Sequence, residues 1–264
     1  MKQILSIFAA AIIISALAPF SGATEWEGLP ASMADIVNAS PAIPEPVLTP
    51  PERLRTVVCV DPGHPNSFNS GLAPVNGTTE THINWLVGVR LEKVLQDLGY
   101  EVVMTRADEK TYVENKDRAL LCNAGGAALS VHLHCESTPG SGFALYYPDR
   151  TGTHNYKNDP DNGFKGPSAQ VMAGSKTLAE TVSKGMKEKL AGILPSRGVF
   201  GDSRTAVGAS QGALTFSIFS KVPTLTIEMA VLTNKNDAAF MKTEQGQLKM
   251  AHAIAAGILL YKAP

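Results

Sequence analysis

The stretch Val57-Val58-Cys59-Val60-Asp61-Pro62-Gly63-His64 decides how the rest of this sequence is interpreted. Its first four residues are apolar and mostly β-branched, which predicts a buried strand, and Asp-Pro-Gly ends that strand abruptly. The turn leaves His64 just beyond the carboxyl end of the strand. In open α/β sheets, ligands and metals bind at that edge. A lone loop histidine is weak evidence for a site, so further candidate ligands must come from elsewhere in the chain.

Composition narrows the class of protein. The chain has 264 residues, a formal net charge of -1 and a hydrophobic content of 44%. It therefore lacks the basic excess expected of a nucleic-acid-binding protein. The hydrophobic content is sufficient for a sizeable core.

The first 23 residues have the layout of a signal peptide. Lys2 precedes an apolar block from Ile4 to Leu17, and small residues end the segment at 21–23. The block is shorter than the roughly 20 residues of a membrane span, so we predict export with no span after cleavage, the alternative being an uncleaved anchor. Residues 24–56 are rich in proline and are predicted to form a linker or pro-segment, followed by one catalytic domain over 57–264.

Strands and helices alternate after residue 57. Apolar runs and two-residue alternation predict strands, and three-to-four-residue periodicity predicts helices. The predicted strands are residues 57–60, 100–105, 128–134, 143–147, 213–219 and 224–229, and the predicted helices are 80–98, 114–124, 169–194 and 244–261. The alternation predicts an α/β fold, with a mostly parallel twisted sheet and helices on both faces.

Three residues are predicted to meet at one edge of this sheet. His64 follows the first strand, Glu80 begins the first helix, and His132 lies near the carboxyl end of another strand. Two imidazoles and one carboxylate with an open fourth position are typical of a catalytic zinc site. Each has a structural alternative: an acidic residue is favoured in a first helical turn, and a strand histidine can bond a backbone carbonyl.

Glu228 is the candidate catalytic carboxylate. It comes late in the otherwise uncharged strand 224–229, where burial is costly unless the carboxylate is paired or lies near a cation. A glutamate beside a metal-bound water can act as a general base. The alternative is an exposed strand end.

Motifs spread over residues 57–264 resemble the zinc-dependent N-acetylmuramoyl-L-alanine amidases of the amidase-3 type. The matching residues are Asp61-Pro62-Gly63-His64, Glu80 with Asn84, Thr105-Arg106 with Asp108, Arg118 with Asn123, Ser130-Val131-His132, and Pro223 to Glu228 with Asn234. The resemblance implies that His64, Glu80 and His132 bind Zn²⁺ and that Glu228 is catalytic. It also implies hydrolysis of the amide between N-acetylmuramic acid and L-alanine in peptidoglycan. The sequence leaves open whether activator proteins bind this chain.

The sequence also departs from the family pattern. The family's Ser-x-His-x-Asn motif has an asparagine where this chain has His134. Because His134 projects on the same face as His132, we predict a supporting or substrate-contacting role for it, not a primary ligand. Arg106 and Arg118 are predicted to brace the fold rather than to contact substrate.

The cysteines leave two alternatives open. Cys59, Cys122 and Cys135 are an odd number, so either one disulfide forms and one thiol stays free, or all three are buried free thiols.

Three rival functions are weighed against the amidase. Gly208-Ala209-Ser210-Gln211-Gly212 fits the serine-hydrolase motif, with Asp237 and His252 following in order, but no strand is predicted directly before it. A zinc carboxypeptidase or other peptidoglycan peptidase would share the fold and metal. A non-catalytic wall-binding module is expected to have lost a ligand or the base.

The polar loop 148–168 is predicted either to cover the substrate or to be an ordinary surface loop.

Overall fold

A computed structural model of the protein describes residues 56–262, so the predicted signal peptide and nearly all of the predicted linker lie outside the described residues. The strands are β1 (Val57–Pro62), β2 (Glu101–Met104), β3 (Leu129–Glu136), β4 (Phe143–Tyr147), β5 (Gly152–Thr153), β6 (Lys165–Gly166), β7 (Ser196–Gly201) and β8 (Thr224–Val231). The helices are α1 (Glu80–Asp97), α2 (Asn115–Ala124), α3 (Ala169–Lys189), α4 (Ala206–Gln211), α5 (Thr215–Phe219), α6 (Lys235–Met241) and α7 (Glu244–Leu260).

Six strands form one sheet in the order β2-β1-β3-β8-β4-β7. The first four run parallel to one another, whereas β4 is antiparallel to β8 and β7 is parallel to β4. We call β2, β1, β3 and β8 the parallel half, and β4 and β7 with the segment between them (residues 143–201) the outer half. The predicted α/β fold with a mostly parallel sheet is confirmed.

Helices pack on both faces of the sheet. Alternate residues of β1 point to opposite sides, so Val58 and Val60 join a large apolar cluster with α1, α3 and α7. Cys59 joins a smaller cluster on the other face, formed with α2 and α5. Within the described residues, no helix is long and apolar enough to cross a membrane.

Local sequence explains how α1 begins. The Thr79 side chain accepts a hydrogen bond from the backbone N–H of His82, which caps the helix, and Glu80 occupies the first turn. The apolar residues Ile83, Val87 and Leu91 follow at helical spacing and are fully buried. This start delivers Glu80 to the edge of the sheet where β1 ends.

Two predictions about the outer half and its neighbours were wrong. Residues 213–219, predicted as a strand, instead contain helix α5, whose residues are all buried. Burial on every side removes the periodicity that separates helix from strand, and the aromatic and β-branched side chains favoured the strand. Strand β7 was missed because Ser196–Gly201 contains two glycines and lies at the edge of the sheet, half-buried.

The structure decides between the cysteine alternatives. Cys59 in β1 and Cys122 in α2 form a disulfide across 63 residues of sequence, and Cys135 is a buried free thiol. The bridge ties the central parallel strands to the helix that covers one face.

Candidate active site

Strand register arranges the polar side chains in two rows across the sheet. Asp61 of β1 is paired with His132 of β3, which is paired in turn with Thr226 of β8. One row closer to the carboxyl edge, His134 is paired with Glu228. The two histidines therefore share a face of β3 but differ in depth by two residues.

His64 lies in the turn that follows β1. Its backbone is in the left-handed region, with φ of 59°, and its Nδ1 donates to the carbonyl of Asn69 at 2.9 Å. The turn is held by two buried arginines: Arg106 donates to the carbonyl of Pro62, and Arg118 donates to the carbonyls of Pro62 and Pro65. The bracing role predicted for both arginines is confirmed.

Glu80 lies between His64 and His134. Its Oε1 is 3.2 Å from His64 Nε2 and 2.8 Å from His134 Nδ1, and it accepts a hydrogen bond from the backbone N–H of Cys135. Burial raises the pKa of Glu80, but the neighbouring imidazoles of His134 and His64 outweigh it and hold that pKa well below its usual range. The carboxylate is therefore ionised at neutral pH.

The potential ligand atoms of His64, Glu80 and His134 all lie within 4.8 Å of one another. Burial, reinforced by the nearby His132, lowers the pKa of His134 to about 3, so its ring is neutral, as metal binding requires. His132, the residue predicted as third ligand from the sequence, lies outside this group. The structure thus groups His134, and not the predicted ligand His132, with His64 and Glu80.

The sequence contained a clue to this difference. Because His132 and His134 face the same side of one strand, the Ser-x-His-x-Asn motif can be placed in two registers. With its histidine at 134, the serine position falls on His132 and the asparagine position on Glu136. Only the pairing with β8, which sets His134 beside Glu228, distinguishes the two.

The hydrogen bonds of the cluster fit a cation. The carbonyl of Asn69 can only accept, so Nδ1 of His64 carries the ring proton and its Nε2 offers a lone pair when the ring is neutral. That lone pair faces the ionised Oε1 of Glu80 at 3.2 Å. Two acceptors at this distance need positive charge close by, and a divalent metal with nitrogen and oxygen ligands supplies it.

Glu228 is a half-buried carboxyl beside the cluster. Its Oε2 has no hydrogen-bond partner. Burial, together with the negative charge of Glu80, raises the pKa of Glu228 to about 8, although Arg197 acts in the opposite direction. A carboxyl with a pKa this close to neutrality can both take and give a proton.

A cavity of about 510 Å³ opens above these residues. His64, Glu80, His132, His134 and Glu228 all line it, together with apolar and aromatic side chains. Tyr146 of β4 and Tyr156 of loop 148–168 contribute to its walls, so that loop does reach the site. The concave shape with a few convergent polar groups is typical of a small-ligand or substrate site.

The serine-hydrolase alternative is contradicted by the structure. Ser210 lies inside helix α4, where its hydroxyl donates to the carbonyl of Val207, and not on a turn after a strand. The carboxylate of Asp237 accepts hydrogen bonds from Ser141 and from the backbone N–H groups of Gly142 and Val231. It is therefore engaged in holding loops together.

Fold and site together define an α/β protein with a cluster of potential metal ligands and a half-buried carboxyl at the carboxyl edge of its parallel strands. A profile of the amidase-3 family, described as N-acetylmuramoyl-L-alanine amidase, matches residues 58–259. The chain belongs to this family, and it is accordingly a peptidoglycan hydrolase of the amidase class.

Individual relatives agree with that assignment. The N-acetylmuramoyl-L-alanine amidase Rv3717 of Mycobacterium tuberculosis is 25% identical over 244 residues, which cover 84% of this chain and 93% of that protein. AmiA of Escherichia coli, also an N-acetylmuramoyl-L-alanine amidase, is 22% identical and the match covers 78% of this chain and 76% of AmiA.

Solved structures show the same fold. The amidase AmiC2 of Nostoc punctiforme aligns with a TM-score of 0.60 at 23% identity, covering 78% of this chain and 96% of its own. The apo form of the amidase Ami1 from Mycobacterium abscessus gives a TM-score of 0.61 at 21% identity, covering 78% of this chain and 98% of its own.

Proposed function

We propose that the protein is a zinc-dependent amidase in which His64, Glu80 and His134 hold the metal and Glu228 moves the proton. The observation that carries this proposal is the meeting of three ligand atoms within 4.8 Å, in the strand row that also contains Glu228. In this proposal His134 replaces His132 as the second imidazole ligand.

The donor set suits zinc. Two imidazoles and one carboxylate leave a coordination position open, as in catalytic zinc sites. When bound, zinc supplies polarisation of the scissile carbonyl and a lowered pKa for a water molecule at the open position. The ionised Glu80 and the neutral ring of His134 are in the protonation states that ligation needs.

Glu228 serves as the proton carrier. In its ionised form it takes the proton of the attacking water, and it then gives that proton to the amine of the departing peptide. The raised pKa of Glu228 makes its carboxylate a stronger base for the first transfer.

Peptidoglycan as substrate requires export. The signal-peptide layout of residues 1–23 lies outside the described part of the chain, so it stays a prediction. The disulfide between Cys59 and Cys122 independently supports an oxidising compartment, because disulfides are rare in reducing cytosol. The relatives named N-acetylmuramoyl-L-alanine amidases support the same substrate.

The test is a metal and product analysis of the protein lacking residues 1–23. We expect about one zinc per chain and release of peptides with new L-alanine amino termini from peptidoglycan. Glu228→Gln should keep the zinc and lose about 10²- to 10⁴-fold in kcat, the range for a general acid–base group. The exposed Glu101→Gln is the matched control and should behave as the original protein does.

Two results would contradict the proposal. Metal-free protein with full activity would remove zinc from the mechanism. Cleavage within the stem peptide, with no new L-alanine amino termini, would keep the zinc site but assign the enzyme to the peptidases.

A further inference from the structure

His132 is a buried imidazole that the proposed chemistry does not use. Its side chain is only 4% exposed, and its ring stacks on Phe216 with the ring centroids 4.7 Å apart and the planes within 9° of each other. Both ring nitrogens are engaged: Nδ1 contacts the carboxylate of Asp61, and Nε2 lies 2.7 Å from Nε2 of His134. The ring of His132 is therefore held in one orientation by contacts to both of its nitrogens and by stacking on Phe216.

The direction of each hydrogen bond follows from Asp61. This carboxylate is completely buried, and it accepts from the guanidinium of Arg118 at 2.7 Å and from the hydroxyl of Thr105. An ionised carboxylate can only accept, so Nδ1 of His132 must donate to it. In the neutral ring Nε2 of His132 is then an acceptor.

The same reasoning reaches the metal cluster. When the ring of His132 is neutral and its Nε2 accepts, Nε2 of His134 carries the ring proton and donates across the 2.7 Å contact. Nδ1 of His134 is left with its lone pair, and it faces Oε1 of Glu80 at 2.8 Å. A metal shared by Glu80, His64 and that Nδ1 gives a partner to each ring nitrogen and carboxylate oxygen in the series of contacts that runs from Arg118 through Asp61 and His132 to His134.

We propose that His132 is a positioning residue that holds His134 in the tautomer whose Nδ1 binds the metal. This inference rests on the proposed function, because it needs the cluster to bind a cation. In metal sites, a ligating histidine commonly donates its other ring N–H directly to a carboxylate. Here the imidazole of His132 lies between His134 and the carboxylate of Asp61. His132 therefore acts through His134 and does not itself coordinate.

Loss of this contact should weaken metal binding without abolishing it. A ring without nitrogen at position 132 leaves the Nε2 proton of His134 unpaired in a buried place and lets the other tautomer form. Loss of such an outer partner typically lowers metal affinity about 10- to 100-fold.

The experiment compares His132→Phe with His132→Gln by zinc competition against a chelator of known affinity. Phenylalanine keeps the ring that stacks on Phe216 but offers no hydrogen bond. Glutamine offers one donor for Asp61 and one acceptor for His134. We expect one zinc per chain in both, with affinity lowered about 10- to 100-fold in the phenylalanine variant and largely restored in the glutamine variant. His134→Phe should bind no zinc at this site.

A measurement on the unmutated protein keeps the proposal testable if a variant fails to fold. In the zinc-loaded protein, long-range ¹H–¹⁵N correlation of the histidine rings should show His134 protonated at Nε2, with its Nδ1 shifted by the metal. His132 should show its proton at Nδ1.

Three outcomes would overturn the inference. Unchanged zinc affinity in His132→Phe, or His134 protonated at Nδ1 in the loaded protein, would remove the positioning role. Complete loss of zinc in His132→Phe with retention in His134→Phe would make His132 the ligand in place of His134, and of the proposed function it would leave only the zinc-dependent amidase activity intact. An unmutated chain that binds no zinc would instead refute the proposed function, and this inference with it.

Discussion

The parallel half and the outer half of the sheet contribute differently to the site. The parallel half brings the candidate ligands and the proposed proton carrier together, because its strands all end at the same edge. The outer half supplies surroundings: Tyr146 lines the cavity, and Arg197 opposes the rise in the pKa of Glu228. The residues proposed to carry out the reaction are therefore positioned by the pairing of parallel strands. The outer half contributes to the cavity wall and affects the pKa of Glu228.

The largest effect is expected from removing a charged ligand in the parallel half. Glu80→Gln keeps the shape of the side chain but removes the charge that neutralises the metal. Zinc affinity should fall by more than the about 100-fold expected for an outer partner, and amidase activity should fall with it. Chelator competition and peptidoglycan digestion measure the two losses. Glu109→Gln, which removes a surface carboxylate paired with His82, is the control.

The next effect concerns the buried ion pair beneath the site. Asp61→Asn leaves the buried guanidinium of Arg118 without its partner and should lower the free energy of unfolding by about 3–5 kcal/mol. Burial raises the pKa of Asp61, but Arg118 and His132 outweigh it and hold that pKa below its usual range. The stabilisation is therefore complete above about pH 4 and is lost as the pH falls further, so the two unfolding curves should converge in acid.

Urea unfolding at several pH values tests this expectation. The exposed Asp117→Asn is the matched control and should change stability little. Equal stability of Asp61→Asn and the original protein at pH 7 would show that the pair contributes nothing net.

A smaller effect is expected from the bridge that ties the parallel half to α2. Replacing both Cys59 and Cys122 by alanine removes a cross-link over 63 residues, which should cost about 2–4 kcal/mol of unfolding free energy. Because neither residue touches the cluster, zinc content should stay at the value of the original protein. Thermal unfolding with and without reductant measures the change, and Cys135→Ala is the control for loss of a thiol. No difference between reduced and oxidised protein would contradict it.

The smallest effect belongs to the outer half. Glu228 acts as a base only when ionised, so activity should rise with pH as its carboxyl, with a pKa near 8, loses its proton. Arg197→Gln removes a positive charge that lowers this pKa and leaves Glu136 unpaired. The rising limb of kcat/KM should then move to higher pH, by about one unit or less. A limb that moved to lower pH would contradict the assignment, and Arg150→Gln serves as the control.

Most of the parallel half could be predicted from the sequence. Its strands and long helices are continuous apolar or periodic segments, and their ends at His64, Glu80 and Glu228 are marked by turn residues, a helix cap and a lone charge. The outer half and helix α5 were predicted less well, since β7 is a short edge strand and α5 is buried on all sides. The hydrophobic pattern of the sequence predicts a helix or strand well when one face of that element is buried. It predicts poorly when both faces or neither face is buried.

The sequence by itself determined the fold class, the edge of the sheet that carries the site, and the face of β3 that points into it. It did not determine which histidine of that face joins the cluster. The two-residue period of a strand fixes the face to which a side chain points, but not the depth of that side chain, meaning its position along the strand relative to neighbouring strands. Depth is set by pairing with neighbouring strands, which places His132 beside Asp61 and His134 beside Glu228. The same holds for the disulfide: only the packing of α2 on β1 brings Cys122 to Cys59 and leaves Cys135 free.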